Sequence, residues 1–284
     1  GYHSAVSGGS HNTAQGNFSA VLGGGGSSNG NEAWAFHSVV VGGRLNIAGD
    51  DSGADTFLGS SSVILGGRSN SVTGDDATIS GGRNNTASGT YASVSGGQWN
   101  EASGSRASVS GGNGNTAGGF SASVSGGIDN EASGSESSVN GGRHNTASGD
   151  YSAVLGGGGS SSSDGNEAKA LYSVVAGGRT NFAGDNSGDG EASVVSGGES
   201  NITKGTASSI SGGSGNTASG AVSSVSGGYG NTASGDFSAV LGGGGSTSID
   251  GNEAAGDYST IGGGRSRSVS GPYDWRAGTL FETE

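Results

Sequence analysis

The chain has 284 residues, including 66 Gly, one Pro and no Cys or Met, and only 29% of its residues are hydrophobic. Because proteins average about 7% Gly and nearly half apolar residues, this composition excludes an ordinary globular enzyme with one thick core. Collagen is excluded as well, since Gly does not recur at every third position. The formal net charge is −13, and no basic stripe is evident along the chain, so no nucleic-acid partner is predicted. No apolar run approaches the roughly 20 residues of a membrane-spanning helix, so no membrane insertion by this segment is predicted.

One fifteen-residue pattern runs through the chain from its first residues: small, any, Val/Ile, any, Gly, Gly, any, any, Asn, any, Ala, any, usually Gly, any, any. Sixteen copies fit when insertions are allowed, and every copy has Val or Ile two residues before the Gly pair. Asn keeps its position in fifteen copies, and Arg267 replaces it in the last. A register kept this strictly excludes a disordered Gly/Ser polymer.

Two stretches of each copy, (Ser/Ala)-x-(Val/Ile) and Asn-x-Ala, restrict every second residue, which is typical of β-strands. The Gly pair and the Gly after Ala are expected at corners, where positive φ or close backbone approach favours residues without Cβ. Two strands and two turns in fifteen residues predict one coil of a parallel β-solenoid, about 4.8 Å from the next coil. The fold class is therefore all-β, a β-solenoid or β-roll of about 16 coils over residues 1–271. The inward Asn side chains are expected to bridge amide to amide or to cap the turn backbone.

The residues on either side of the Val/Ile are expected to point outward, and in all sixteen copies none of them is Asp, Glu, Lys or Arg. Leu22, Val41, Leu65, Leu155 and Leu241 make parts of this face apolar. One coil buries only four small or medium side chains, so a lone solenoid this thin is marginally stable. Because an uncharged outward face is usually covered, we predict a homotrimer joined through this uncharged strand face.

The segment Ser93-Val94-Ser95-Gly96-Gly97, followed by Asn100-Glu101-Ala102-Ser103-Gly104, resembles the head repeat of trimeric autotransporter adhesins of the YadA type. The resemblance covers residues 1 to about 271 and implies a left-handed parallel β-roll trimer. It also implies a non-enzymatic adhesive head that is extracellular, at the cell surface or associated with the outer membrane, with a host matrix protein or glycan as partner. The repeat is one residue longer than the family's usual repeat, and the extra residue accompanies the second Gly of the pair.

Five insertions are expected to project as loops, near residues 23–30, 49–60, 156–165, 184–191 and 242–251. Their order recurs after about 135 residues, from Asn31 to Asn166. Loops on a rigid scaffold are where binding residues usually lie, and tolerated surface variation is the alternative.

A calcium site is the one metal site that the sequence suggests. Asp185, Asp189 and Glu191 have the alternate oxygen spacing of a calcium loop, although Ser196 stands where the bidentate Glu of such a loop is expected. No other cofactor and no catalytic residue is predicted.

The last residues, 272–284, leave the pattern and concentrate Tyr, Trp, Leu and Phe. An open solenoid end exposes unpaired strand edges, so this segment is predicted to be a C-terminal cap. A receptor-binding tip is the alternative.

Enzymatic function finds little support in the sequence. His3, His11, His37 and His144 fall at outward or corner positions, and the two opposed carboxylates of a carbohydrate-active enzyme are not placed by the pattern. An ice-binding face is disfavoured because Glu interrupts the row of Thr that follows Asn. The sequence predicts a non-enzymatic adhesin head or fibre segment, with a structural extracellular filament or a phage or injection-system tail fibre as alternatives.

Overall fold

The computed structural model describes residues 1–50, 58–185, 190–245, 247 and 250–277. The chain is a parallel β-solenoid in which each coil contributes one two-residue strand to a first sheet and one to a second sheet. This confirms the predicted all-β solenoid. The chain divides into two compact units, residues 1–141 and 142–284, which are described separately.

The strands of both units are short and regular. In the first unit, the first-sheet strands are Ala5–Val6, Ala20–Val21, Val39–Val40, Val63–Ile64, Thr78–Ile79, Ser93–Val94, Ser108–Val109, Ser123–Val124 and Ser138–Val139. Its second-sheet strands are Thr13–Ala14, Glu32–Ala33, Ile47–Ala48, Ser71–Val72, Thr86–Ala87, Glu101–Ala102, Thr116–Ala117 and Glu131–Ala132. In the second unit, the first-sheet strands are Ala153–Val154, Val174–Val175, Val194–Val195, Ser209–Ile210, Ser224–Val225, Ala239–Val240, Thr260–Ile261 and Trp275–Arg276. Its second-sheet strands are Thr146–Ala147, Glu167–Ala168, Phe182–Ala183, Ile202–Thr203, Thr217–Ala218, Thr232–Ala233, Glu253–Ala254 and Ser268–Val269, and a short 3-10 helix covers Ser162–Asp164.

Neighbouring coils pair in parallel, one repeat apart. Val94 lies opposite Val109, and Ala87 lies opposite Ala102. Beyond the first coil, where Val6 is 48% exposed, the inward Val, Ile and Ala side chains are almost completely buried, and so is the Asn of each coil. The core is therefore a narrow column of the side chains that the pattern holds constant.

The ladder extends one coil further than the sequence predicts. Trp275–Arg276 pairs in parallel with Thr260–Ile261, so the described residues contain seventeen first-sheet strands, one more than the sixteen copies of the pattern. Backbone hydrogen bonds do not depend on side-chain identity, so the pairing continues although Arg276 replaces the usual Val or Ile. That residues 272–284 act as a cap stays a prediction, and residues 278–284 lie outside the described part of the chain.

The strand register is intact on either side of the insertions. Val39 pairs with Val63 across the 49–60 insertion, and Thr146 pairs with Glu167 across the 156–165 insertion. Residues 51–57, 186–189, 246, 248 and 249 lie outside the described residues. The strand pairing thus continues across the insertions, and that they project as loops stays a prediction.

Candidate functional site

Each coil turns at two corners. The Gly-Gly corner runs from the Gly pair to the Asn, and the return corner runs from the residue after Ala back to the first sheet. At both corners a residue other than Gly adopts the left-handed conformation, such as Trp99 (φ 59°) at the Gly-Gly corner and Tyr91 (φ 60°) at the return corner. The sequence predicts only Gly for such backbone, so these rows of left-handed side chains are a feature that it missed.

The Asn ladder holds the Gly-Gly corner. The side-chain amide of Asn100 donates to the carbonyls of Gly96 (2.9 Å) and Gly112 (3.1 Å), and its Oδ1 accepts from the backbone N–H of Asn115 (3.0 Å). The side chain therefore caps the turn backbone of two successive coils, which is one of the two predicted alternatives. A direct amide-to-amide bond, the other alternative, joins Asn130 to Asn115 (3.2 Å).

The two glycines of the pair have different roles. Gly97 has φ +85°, and a methyl group on it would lie 2.2 Å from the Gly112 carbonyl oxygen, so only Gly fits there. A methyl group on Gly96 would meet nothing within 4 Å, and Gly96 does not have left-handed backbone. The expectation that both glycines serve the turn therefore holds for Gly97 but not for Gly96, whereas first glycines of other coils, such as Gly8 (φ +88°) and Gly156 (φ +154°), do have positive φ.

The residue after the Gly pair forms an outward row along the Gly-Gly corner. Arg44, Arg68 and Arg83 occupy this row in three successive coils, joined by parallel bridges, and all three are exposed. The ladder brings them to a spacing of about 4.8 Å, although they lie 24 and 15 residues apart in the chain. The fold thus places three arginines in a row, while the absence of a basic stripe that could follow a phosphate backbone, and with it of a nucleic-acid partner, stays a prediction.

Acidic partners of this row differ between the two units. In the second unit Arg179 donates to Glu199 of the next coil and forms an ion pair with it, and this hydrogen bond is the main cause of a raised Arg179 pKa. In the first unit no carboxylate of the described residues forms an ion pair with Arg44, Arg68 or Arg83.

Two of the three Gly-Gly corner loops supply their own carboxylate. In loop 242–251, Asp250 accepts from Arg265 (2.9 Å) and from the Thr247 hydroxyl (2.8 Å). These hydrogen bonds, that from Arg265 first, hold the Asp250 pKa below its usual value. In loop 156–165, Asp164 stands at the equivalent place and closes the short 3-10 helix as part of a capping box with Ser161.

Loop 23–30 is two residues shorter than the other two and has Asn29 in place of the Asp. The Arg44 side chain lies beneath this loop, since a methyl group on Gly26 would come within 2.7 Å of Arg44 Cδ. In the other loops the equivalent space, above Gly159 and Gly245, holds the side chains of Asp164 and Asp250 instead. Loop 23–30 and Arg44 together line a cavity of about 130 Å³.

Aromatic side chains stack along the return corner. The ring centroids of Tyr151 and Tyr172 are 5.0 Å apart, and those of Phe237 and Tyr258 are 4.8 Å apart, both pairs with nearly parallel rings. Each ring covers a face of its neighbour, so these stacks stabilise the coils and present mainly ring edges to solvent.

All four histidines lie at corners, as expected, and all have left-handed backbone. His3 and His37 lie on either side of Phe18, with ring centroids 5.4 and 5.2 Å from it. His11 Nδ1 is 2.9 Å from the Gly26 carbonyl oxygen. His144 occupies the Gly-Gly corner of another coil, so the four residues do not form one site.

The calcium candidates are only partly within the described residues. Asp185 is half-buried and Glu191 is exposed, while Asp189 lies outside the described part of the chain. Among the described residues no group of three His, Cys, Asp or Glu side chains is placed to hold a metal ion. The calcium site therefore stays a prediction.

No protein-family model matches the chain, and no curated protein matches it significantly. Within the described ranges no helix is long and apolar enough to cross a membrane. The function must therefore be argued from the surfaces of the solenoid itself.

Proposed function

We propose that the chain is the non-enzymatic head or a fibre segment of an extracellular, cell-surface adhesin, and that it works as a homotrimer joined through the outer face of the first sheet. The proposal has two parts, self-association and attachment. The observation that carries it is the uncharged outer face of the first sheet, bordered in several coils by a first glycine that neither space nor φ requires.

The outer face of the first sheet exposes apolar side chains without charge. Leu22, Leu65, Leu155 and Leu241 on this face are between 47% and 56% exposed, and Ser or Ala fills most of the places between them. Apolar side chains lined up along one uncharged face favour burial against another surface.

The first glycine of the pair borders this face in every copy. Neither its space nor its φ requires Gly at Gly66, Gly96 or Gly197. Gly costs roughly 0.5–1 kcal/mol of backbone entropy relative to Ala in a strand. Glycines that recur without a local requirement therefore indicate that another surface approaches the backbone closely at these positions. Among the described residues, nothing lies within 4 Å of a methyl group placed on any of these three glycines.

Other copies of this chain fit that description best. A second solenoid has the same coil spacing of about 4.8 Å, so its rows of small side chains can interdigitate with this face along many coils. An uncharged face can also meet itself without leaving a buried charge unpaired. Three copies rather than two is the assembly implied by the resemblance to the YadA-type head repeat.

Charged side chains border open grooves on the surface of the described residues. Arg44 borders one groove, and Asp150, Lys169 and Asp185 border another. Loops and corner rows on a stiff solenoid are suited to contacting matrix, host cells or neighbouring cells.

Light scattering on the full chain tests the assembly. We expect three times the chain mass of 26.8 kDa, and a monomeric or dimeric mass would contradict the trimer. The triple variant Ser95→Asp, Ser110→Asp and Ser125→Asp places three charges on the first-sheet face and should dissociate the assembly. Its matched control, Ser103→Asp, Ser133→Asp and Ser148→Asp, places the same charges at the start of the return corner, directly after second-sheet strands, and should leave the mass unchanged.

A bead assay tests attachment separately. Beads coated with the folded chain should adhere to cultured cells or extracellular matrix more than beads coated with the heat-denatured chain. A trimer whose beads do not adhere would overturn the adhesive role and leave a structural filament.

A further inference from the structure

We propose that Arg44, Arg68 and Arg83, the arginine strip, bind an anionic sugar chain whose carboxylate or sulfate groups pair with successive guanidinium groups. This proposal deepens the adhesive role and rests on it, since it names the class of ligand. The strip lies on the Gly-Gly corner, beyond the Gly pair, and not on the uncharged face.

The backbone under the strip is held by hydrogen bonds from coil to coil. The N–H groups of Arg44 and Arg68 donate to Gly67 (3.0 Å) and Gly82 (2.9 Å) of the following coils. The carbonyl of Arg83 accepts from the N–H of Trp99 (3.1 Å). The guanidinium groups therefore project from a ladder of fixed spacing, which reduces the entropy lost when a ligand binds.

Equivalent positions of the second unit show which chemistry this row accepts. Arg179 holds the Glu199 carboxylate, and Arg265 holds the Asp250 carboxylate. In the first unit Arg68 stands where Glu199 stands in the second, and Asn29 replaces the Asp of the loop. Compared with the second unit, the arginine strip thus has the guanidinium groups but no carboxylate of the described residues paired with them.

Guanidinium groups bind carboxylate and sulfate through paired N–H donors. Three of them in a row, with no described carboxylate paired to them, suit a ligand that brings several anionic groups in line. The chain carries a net charge of −13, so this row is a local cationic feature on an acidic protein, and a long dense polyanion is repelled elsewhere.

Neighbouring side chains favour a sugar over a phosphate backbone. Trp99, one coil beyond Arg83, is 58% exposed and offers a flat apolar surface for the C–H groups of a sugar ring. Asn84 and Ser69 lie between it and Arg44 along the same corner and supply amide and hydroxyl groups to sugar hydroxyls. A phosphate backbone would bind through the charged guanidinium groups alone and would use none of these neighbouring side chains.

Calorimetric titration of the full chain with an oligogalacturonate and with a sulfated dextran oligosaccharide tests the strip. The first probe carries carboxylates and the second sulfates, and neutral dextran is the sugar control. We expect binding of at least one anionic probe that weakens as salt is raised. The triple variant Arg44→Gln, Arg68→Gln and Arg83→Gln should weaken it about tenfold or more, while Arg179→Gln, which removes an already paired arginine, should not.

Two further variants sharpen the test. Glu199→Arg removes the internal carboxylate of the second unit and places two arginines in successive coils, so it should raise the number of bound probes. Trp99→Asn keeps a residue type that tolerates left-handed backbone, as Asn84 does in the preceding coil (φ 54°), and should weaken the sugar several-fold.

The proposal is overturned if the triple Gln variant binds the anionic sugars as tightly as the unchanged chain. It is also overturned if neither anionic probe binds, if Trp99→Asn has no effect, or if a single-stranded oligonucleotide of equal charge binds the strip more tightly than the sugars. Light scattering on the same samples keeps the two proposals apart. A trimer that binds neither anionic sugar would contradict only the proposal for the arginine strip.

Discussion

Along the Gly-Gly corner of the first unit, successive coils carry Arg44, Arg68, Arg83 and Gln98, and the equivalent stretch of the second unit carries Arg179, Glu199, Ser214 and Tyr229. Both stretches pair in parallel along the same corner of the repeat. In the second unit the arginine is neutralised within the chain, and in the first unit three arginines stand in a row without a described carboxylate partner. One scaffold thus presents either a closed ion pair or an open cationic row, and a single outward residue per coil decides which.

The largest loss of stability is expected from substitutions in the Asn ladder, which should affect both units equally. Asn100→Ala and Asn201→Ala each leave one N–H and two carbonyls of the corner without the side-chain partner shown for them. The carbonyls of Gly112 and Gly213 still accept from the backbone N–H groups of Gln98 and Glu199. Two groups per variant therefore lose their partner, and at roughly 1–3 kcal/mol per buried unpaired group each variant should lose about 2 kcal/mol or more of unfolding free energy.

Chemical denaturation of both variants measures this loss, and Asn12→Ala in the first, more exposed coil serves as a milder control. Clearly unequal losses at the two interior positions would mean that the two units do not share one scaffold, and the comparison of their surfaces would fail.

A smaller effect is expected when the pH is lowered, and it should destabilise loop 242–251 but not loop 23–30. The Arg265 guanidinium, followed by the Thr247 hydroxyl, lowers the pKa of Asp250. A carboxyl whose pKa is lower in the folded state stabilises the fold above its unfolded pKa, and this contribution is lost as the pH falls through the folded value. Acidification below the usual range of Asp should therefore loosen loop 242–251.

Amide exchange of Gly251 and Asn252 across the acidic range measures that loosening, and Asp250→Asn should abolish its pH dependence. Loop 23–30, with Asn29 in the equivalent place, should show none. Equal acid sensitivity of both loops would mean that the Asp250–Arg265 pair does not hold the loop.

The smallest effect lies in the core. At the inward small position the first unit has Ala92 and Ala107 where the second has Ser208 and Ser223, whose buried hydroxyls find no hydrogen-bond partner. Because an unpaired buried hydroxyl is costly, Ser208→Ala should raise the unfolding free energy by up to about 1 kcal/mol. Thermal melting of this variant, compared with the converse Ala107→Ser, checks the sign, and a lower melting temperature for Ser208→Ala would contradict it.

Much of the fold was predictable from the sequence, because the core uses the residues that recur. The constancy of Val or Ile, Ala and Asn at fifteen-residue spacing predicts two strands per coil, and the structure buries those positions. The left-handed residues at the corners, such as Trp99, were not predictable, since their identity varies while the backbone conformation is imposed by the neighbouring coils. The different roles of Gly96 and Gly97 required the position of the next coil.

What the sequence by itself determined is the repeat: its period, its inward side chains, the places of its insertions and the uncharged outward positions. These properties follow from local periodicity, which can be read directly from the amino-acid sequence. Tertiary structure alone decided which distant residues become neighbours. Arg44 and Arg68 are 24 residues apart in the chain because an insertion separates them, yet they pair in adjacent coils because the strands on either side of the insertion hold their register.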